Sequence, residues 1–243
     1  MKRLNIKKAF TLAEILVVLT IIGVISAMTI PSLNQNVKKQ ELATSLQKAH
    51  STLTQGVSKV KAEIGPVGLG MAWLNAEKFW PEFTKNLNTI KICGSGQAGC
   101  FTPGMIKGLN GQNYQNLEQL GFSAILADGM AIQYVNVGCG QTENISLDDI
   151  GSSFGKFVVD VNGHRPPNKF GEDVFQFCLV KGKGIVPAGA SGFAAGDCFT
   201  DKAGLSCAAK VLQEGKINHK SSNAGGSGSG EETIEIDFKI GMY

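Results

Sequence analysis

Three groups of residues in the 243-residue chain have the types and spacing to do chemistry. The first is Glu14, a lone acid at the edge of a long apolar run. A carboxylate drawn toward the centre of a bilayer costs up to about 2.5–3.5 kcal/mol unless it is paired. Glu14 therefore calls for a partner of opposite charge. The second group is Asp160, Asn162 and Asp173, with Asn168 between them, in a stretch rich in turn formers that runs from Asp160 to Phe175. Oxygen-bearing side chains in that number suit a hard cation such as calcium, which takes roughly six to eight oxygen ligands. The spacing is not that of an EF-hand loop, and Asx residues beside glycine and proline also bond their own backbone to fix turns. The sequence leaves both readings open.

The third group is the cysteines: Cys93, Cys100, Cys139, Cys178, Cys198 and Cys207. An even number in a loop-rich region that follows a membrane-targeting segment points to disulfides formed outside the cytoplasm. Cys93–Cys100 and Cys198–Cys207 are the expected pairs because each closes a short glycine-containing loop. Cys139–Cys178 then follows by elimination. Zinc ligation would need tighter C-x₂-C spacing than the chain offers. His164 and Arg165 lie in the acidic loop, but no nucleophile motif such as G-x-S-x-G accompanies them. No catalytic constellation emerges, and the expectation is a non-enzymatic protein that needs no organic cofactor.

The elements that must carry these groups divide the chain in two. Gly23 precedes Gly56, and the other thirty of the 31 glycines all lie beyond Gly23. The first 64 or so residues read as helix and the remainder as turns and short strands. A hydrophobic share of 43% with 18% charged residues excludes a disordered polyampholyte. The formal net charge is +3, and the first nine residues hold four bases (Lys2, Arg3, Lys7 and Lys8) without an acid. What remains carries 19 basic against 20 acidic residues, which leaves no footprint for nucleic acid.

Ile15 to Val37 is free of charge. As a helix it covers roughly 35 Å, against a hydrocarbon core of about 30 Å. The basic nonamer before it keeps the extreme N-terminus in the cytoplasm and sends the rest across. An ordinary secretory signal cut after Ser26-Ala27 is disfavoured, because the apolar stretch is too long and Ile25 is a poor third residue for the site.

The string from Lys7 through Phe10 and Glu14 to Val18 resembles the class III signal of type IV pilins and type II secretion pseudopilins. The resemblance implies that a prepilin peptidase cuts between Ala9 and Phe10 and methylates Phe10, although the family favours glycine where this chain has Ala9. It also makes Glu14 the assembly glutamate, neutralised by the new α-amino group of a neighbouring subunit. Gly23 and Pro31 stand where pilins often carry helix-softening residues. Part of the acidic loop resembles the D-x-N-G…P-N…G-x-D-x-F stretch of some pilin-like heads, and related pseudopilins bind calcium in a loop of the sheet.

The resulting expectation is an α+β, pilin-like protein. Residues 1–9 are a leader, and 10–64 form a long helix of roughly 80 Å, transmembrane over about 15–37, bent at Pro31 and then amphipathic. Residues 65–222 form an extracytoplasmic head with a small antiparallel sheet and disulfide-closed loops, and 223–243 form a Gly/Ser linker and tail. Within the head, the spacing of Phe79, Trp80, Phe83 and Leu87 predicts a helix over 74–90. Asp128-Gly129 predicts a hairpin between 122–126 and 130–137, with further strands at 156–161, 174–180 and 184–186. The implied partners are a prepilin peptidase, the bacterial inner membrane and other pilin or pseudopilin subunits in a helical filament. The alternative is a monomeric, single-pass, membrane-anchored binding module that keeps residues 1–9.

Overall fold

Fifty-three consecutive residues, Leu12–Ile64, form helix α1, which continues through Pro31 without a break. A computed structural model describes residues 11–65, 75–139, 153–190 and 197–222. It divides into two compact units, Met1–Lys39 and Gln40–Tyr243, so the boundary falls within α1. In the first unit the apolar side chains are exposed, as at Leu16 and Ile22. The helix there is long and apolar enough to cross a membrane. Its two hydroxyls inside the run are satisfied locally, Thr20 donating to the Leu16 carbonyl at 2.8 Å and Thr29 to that of Ile25 at 3.0 Å. That is what a helix without water around it requires.

In the second unit the remaining turns of α1 bury Leu42, Leu46, Ala49, Leu53, Val57 and Val60. Spacings of three and four residues put them on one face. Val37, the last residue of the charge-free run, is exposed and belongs to the first unit. Gly56 lets the second helix come close, because a Cβ there would lie 2.7 Å from the ring of Phe83.

That second helix, α2, spans Ala76–Lys85 and is shorter than the spacing predicts. Asn75 starts it by accepting from the Glu77 and Lys78 amides at 2.9 and 3.3 Å. Thr89 is already paired with Leu126 in the sheet, so the helix cannot extend to residue 90.

The strands are β1 (Thr89–Cys93), β2 (Met105–Lys107), β3 (Asn113–Asn116), β4 (Phe122–Leu126), β5 (Ala131–Val135), β6 (Ser153–Asp160), β7 (Val174–Val180) and β8 (Gly184–Pro187). Six form an antiparallel sheet in the order β1-β4-β5-β6-β7-β8, larger than the sequence suggests, and β2 and β3 form a separate ribbon. The hairpin at Asp128-Gly129 is present, with the Met130 amide bonding Asp128 Oδ1 at 3.1 Å. A last helix, α3, spans Cys207–Glu214.

From β5 to β7 the sheet is buried on both faces, whereas β1 is exposed at its edge, and the alternation of side chains separates two cores. Tyr134, Phe157 and Phe177 lie in one cross-strand row facing α1 and α2. Ala131, Val158 and Val174 face the other way, beneath Phe101, Ile106, Leu117 and Phe170. This second face also holds the buried polar residues Gln133 and Asp160. Gln133 donates to the Leu117 carbonyl and so ties the covering loop to the sheet. Three disulfides brace the loops: Cys93–Cys100, Cys139–Cys178 and Cys198–Cys207.

Candidate functional site: an N-terminal signal and an acidic loop

Ala9 and Phe10 lie outside the described residues, and Glu14 lies within them. Thr11 precedes the first helical residue, and its hydroxyl accepts from the Glu14 amide at 3.2 Å. In return, a Glu14 carboxylate oxygen accepts from the Thr11 amide at 2.8 Å and from its hydroxyl at 2.9 Å. This is a capping box, in which residues three apart satisfy each other's free helix-end donors. The sequence reading looked for Glu14's partner on another subunit, and the structure adds a local one. The S/T-x-x-E signal is legible at Thr11-Leu12-Ala13-Glu14.

The acidic loop is assembled from the ends of β6 and β7. Asp160 is the last residue of β6 and Asp173 immediately precedes β7, both fully buried. Asp173 Oδ1 accepts from the Lys169 amide at 2.7 Å. Its Oδ2 accepts from the Asn168 amide at 2.9 Å and from Asn162 Nδ2 at 3.1 Å. Asp160 accepts from the Thr102 hydroxyl on one oxygen and, at 3.3 Å, from the Asn162 amide on the other. Thr102, 58 residues before Asp160 in the chain, carries no signal of this role in its own stretch and is brought in by the loop covering the second sheet face.

Burial pushes the Asp160 carboxyl up to about 8. Thr102 works against that shift and the nearby charge of Asp173 adds to it. Burial also raises Asp173, against the pull of its backbone donors. The structure thus brings Asp160, Asn162 and Asp173 together, as a turn clamp in the first instance. Two buried oxygens in the same loop, Asn162 Oδ1 and Asn168 Oδ1, accept no hydrogen bond. Two carboxylates held in low dielectric beside two idle amide oxygens form a donor set whose chemistry fits a hard cation, and a cation would reverse the upward shift of the acids.

In the same loop His164 and Arg165 are exposed, and Arg165 donates to the Asn162 carbonyl at 2.9 Å. His50 stacks on Phe177, with ring centroids 5.7 Å apart, and its burial lowers its pKa. His219 lies with Nε2 2.7 Å from the Gly171 carbonyl and Nδ1 3.4 Å from Cys198 Sγ. Burial lowers its pKa too, although the Gly171 bond opposes that.

With this geometry in hand, comparison with known proteins gives one match. Residues 4–30 match the prokaryotic N-terminal methylation motif, the class III signal of type IV pilins and pseudopilins. The match covers the N-terminal signal alone, and the α+β layout behind a long apolar helix fits the pilin-like fold that the signal implies. No curated protein and no solved structure matches the chain.

Proposed function

We propose that the chain is a structural subunit, a pilin, minor pilin or pseudopilin, of a type IV filament or type II secretion pseudopilus. Prepilin peptidase removes residues 1–9 and methylates Phe10. Residues 10–64 then serve as membrane anchor and filament core, and 65–222 form the head outside the inner membrane. One observation supports this reading above others: the methylation motif opens a single helix, α1, that is exposed and apolar in its first unit and a packed core element in its second. Assembly then exchanges lipid contacts for contacts between apolar helices. A neighbour's α-amino group beside Glu14 fixes the stagger. The mass of the mature N-terminal fragment tests the reading. Methylated Phe10 supports a filament subunit, Met1 an uncut anchor and Met28 a secreted domain.

The head would also take one calcium ion, held by Asp160, Asn162 and Asp173 with Asn168. The two idle amide oxygens and the two buried acids favour this. The ion would supply only charge compensation and loop rigidity.

A further inference from the structure

Cys198, Cys207 and His219 sit together at the base of α3, and their three ligand-type atoms lie within 4.8 Å of one another. His219 Nδ1 is 3.4 Å from Cys198 Sγ and 4.0 Å from Cys207 Sγ. Its Nε2 lies 2.7 Å from the Gly171 carbonyl, which can only accept, so Nε2 carries the proton and the Nδ1 lone pair faces the sulfurs. Metal-ligating histidines commonly donate the other ring N–H to a backbone carbonyl, as His219 does to Gly171, which leaves Nδ1 free to coordinate.

Tetrahedral zinc, with Zn–S near 2.3 Å and Zn–N near 2.0–2.1 Å, places a nitrogen and a sulfur ligand about 3.5 Å apart. In the disulfide the distances from Nδ1 to the two sulfurs already lie on either side of that value, and reduction need only let the two sulfurs part to about 3.8 Å, the separation of two thiolates on one tetrahedral zinc.

The three residues are also held in place by bonds other than the disulfide. The Asp197 carboxylate accepts from the Leu205 amide at 2.9 Å, from the Ser206 amide at 2.6 Å and from the Ser206 hydroxyl. It thereby clasps the residue before Cys198 to the residue before Cys207. The Thr200 amide donates to the Lys220 carbonyl at 3.0 Å, which fixes the segment beside His219. Cys207 is the first residue of α3, where the helix end favours a thiolate.

We propose that the dithiol form of the head binds one thiophilic divalent cation, zinc, through Cys198, Cys207 and His219, with water as fourth ligand. Oxidation closes this site. A dithiol reductant gives two electrons and two protons to the Cys198–Cys207 bond and becomes a disulfide itself. Zinc then displaces the two thiol protons. In the reverse direction, a disulfide donor removes the two electrons and releases the ion. A newly exported head would thus have its last two cysteines masked by metal, unable to mispair with the other four, until that exchange takes place.

The test uses the full-length chain in detergent, reduced with a phosphine under anaerobic conditions and titrated with cobalt(II) as a spectroscopic stand-in for zinc. The expected result is one equivalent bound, with thiolate-to-cobalt and tetrahedral ligand-field absorption bleached by added zinc. His219→Ala should weaken binding by on the order of tenfold or more, Cys198→Ser should abolish the ligand-field bands, and Cys93→Ser/Cys100→Ser should leave the one-equivalent site intact. Absence of the bands overturns the proposal. So does binding indifferent to His219→Ala, which would indicate generic thiol binding by a loosened chain. Full binding by the oxidised protein overturns it as well.

Discussion

The carboxylate of Glu14 and the backbone amide of Thr11 lie 2.8 Å apart, so the acid that would pair with a neighbouring subunit also caps its own helix. The two roles separate by substitution. Glutamine can hold a capping box but carries no charge. Glu14→Gln should therefore enter sheared filaments as poorly as Glu14→Ala if the charge fixes the stagger. Thr11→Ala loses a cap worth about 0.5–2 kcal/mol and should still assemble. Filament yield by immunoblot decides it, and normal incorporation of Glu14→Gln would remove the counter-ion role.

The acidic loop makes a second separation possible. Calcium in hundredfold excess over its dissociation constant should stabilise the head by roughly 2.7 kcal/mol, seen as a rise in melting temperature that chelation reverses. Burial raises the Asp160 pKa and so favours its neutral form, and Asp160→Asn should cost little in chelator yet abolish the calcium response. Asp173→Ala strands the Asn168 and Lys169 amides and should destabilise with or without calcium, by about 1–3 kcal/mol for each unmet donor. A wild-type melting temperature blind to calcium would leave the loop as a turn clamp alone.

Much of this architecture was legible because it is local. The alternation around Asp128-Gly129 and the apolar spacing from Leu42 to Val60 each report one element, and β4, β5 and the second part of α1 follow from them. The helix expected over 74–90 takes in Thr89 and Ile90, the first residues of β1, whose strand state depends on pairing with β4, 33 residues on from Thr89 to Phe122. The three-residue β2 and the eight-residue α3 are too short to show a period. The Ser206 hydroxyl, where a cap signal would be sought for α3, bonds Asp197 instead. Among site residues, Asp160, Asn162 and Asp173 could be found from their own stretch. Thr102 and His219 arrive from distant segments, and nothing in their neighbours' types announces it.

Proton linkage offers a third check. His50 packs against Phe177 and its pKa is lowered by burial. The folded state thus holds fewer protons than the unfolded chain, whose histidine titrates near 6.5. The stability involved is fully present above that value and is lost as pH falls through the depressed folded pKa. His219 acts in the same direction. Asp160 and Asp173, raised by burial, act in the opposite sense, so the histidine share is read as a difference: by denaturant midpoints, wild type should lose stability relative to His50→Phe as pH falls from 7.5 through the depressed folded pKa. A difference that does not change with pH would mean that His50 does not titrate on unfolding.

Two substitutions on α1 show which force holds the helix to the head. Lys48 Nζ lies 2.8 Å from Asp128 Oδ2 in the β4–β5 turn, but the lysine side chain is 59% exposed. Solvent screens such a pair, and Lys48→Ala should cost less than about 1 kcal/mol, with the cost shrinking further in salt. Leu53, one turn along, is 1% exposed in the core with Phe83 and Phe177. Leu53→Ala should cost about 2–5 kcal/mol from lost transfer energy and the cavity left behind. At roughly 2–4 °C per kcal/mol for a unit of this size, thermal unfolding should tell the two apart easily. Equal effects would mean that the ion pair, rather than apolar burial, seats the helix. The expected order, with Leu53 far ahead, places the attachment in the same apolar stripe that continues α1 beyond its exposed first unit.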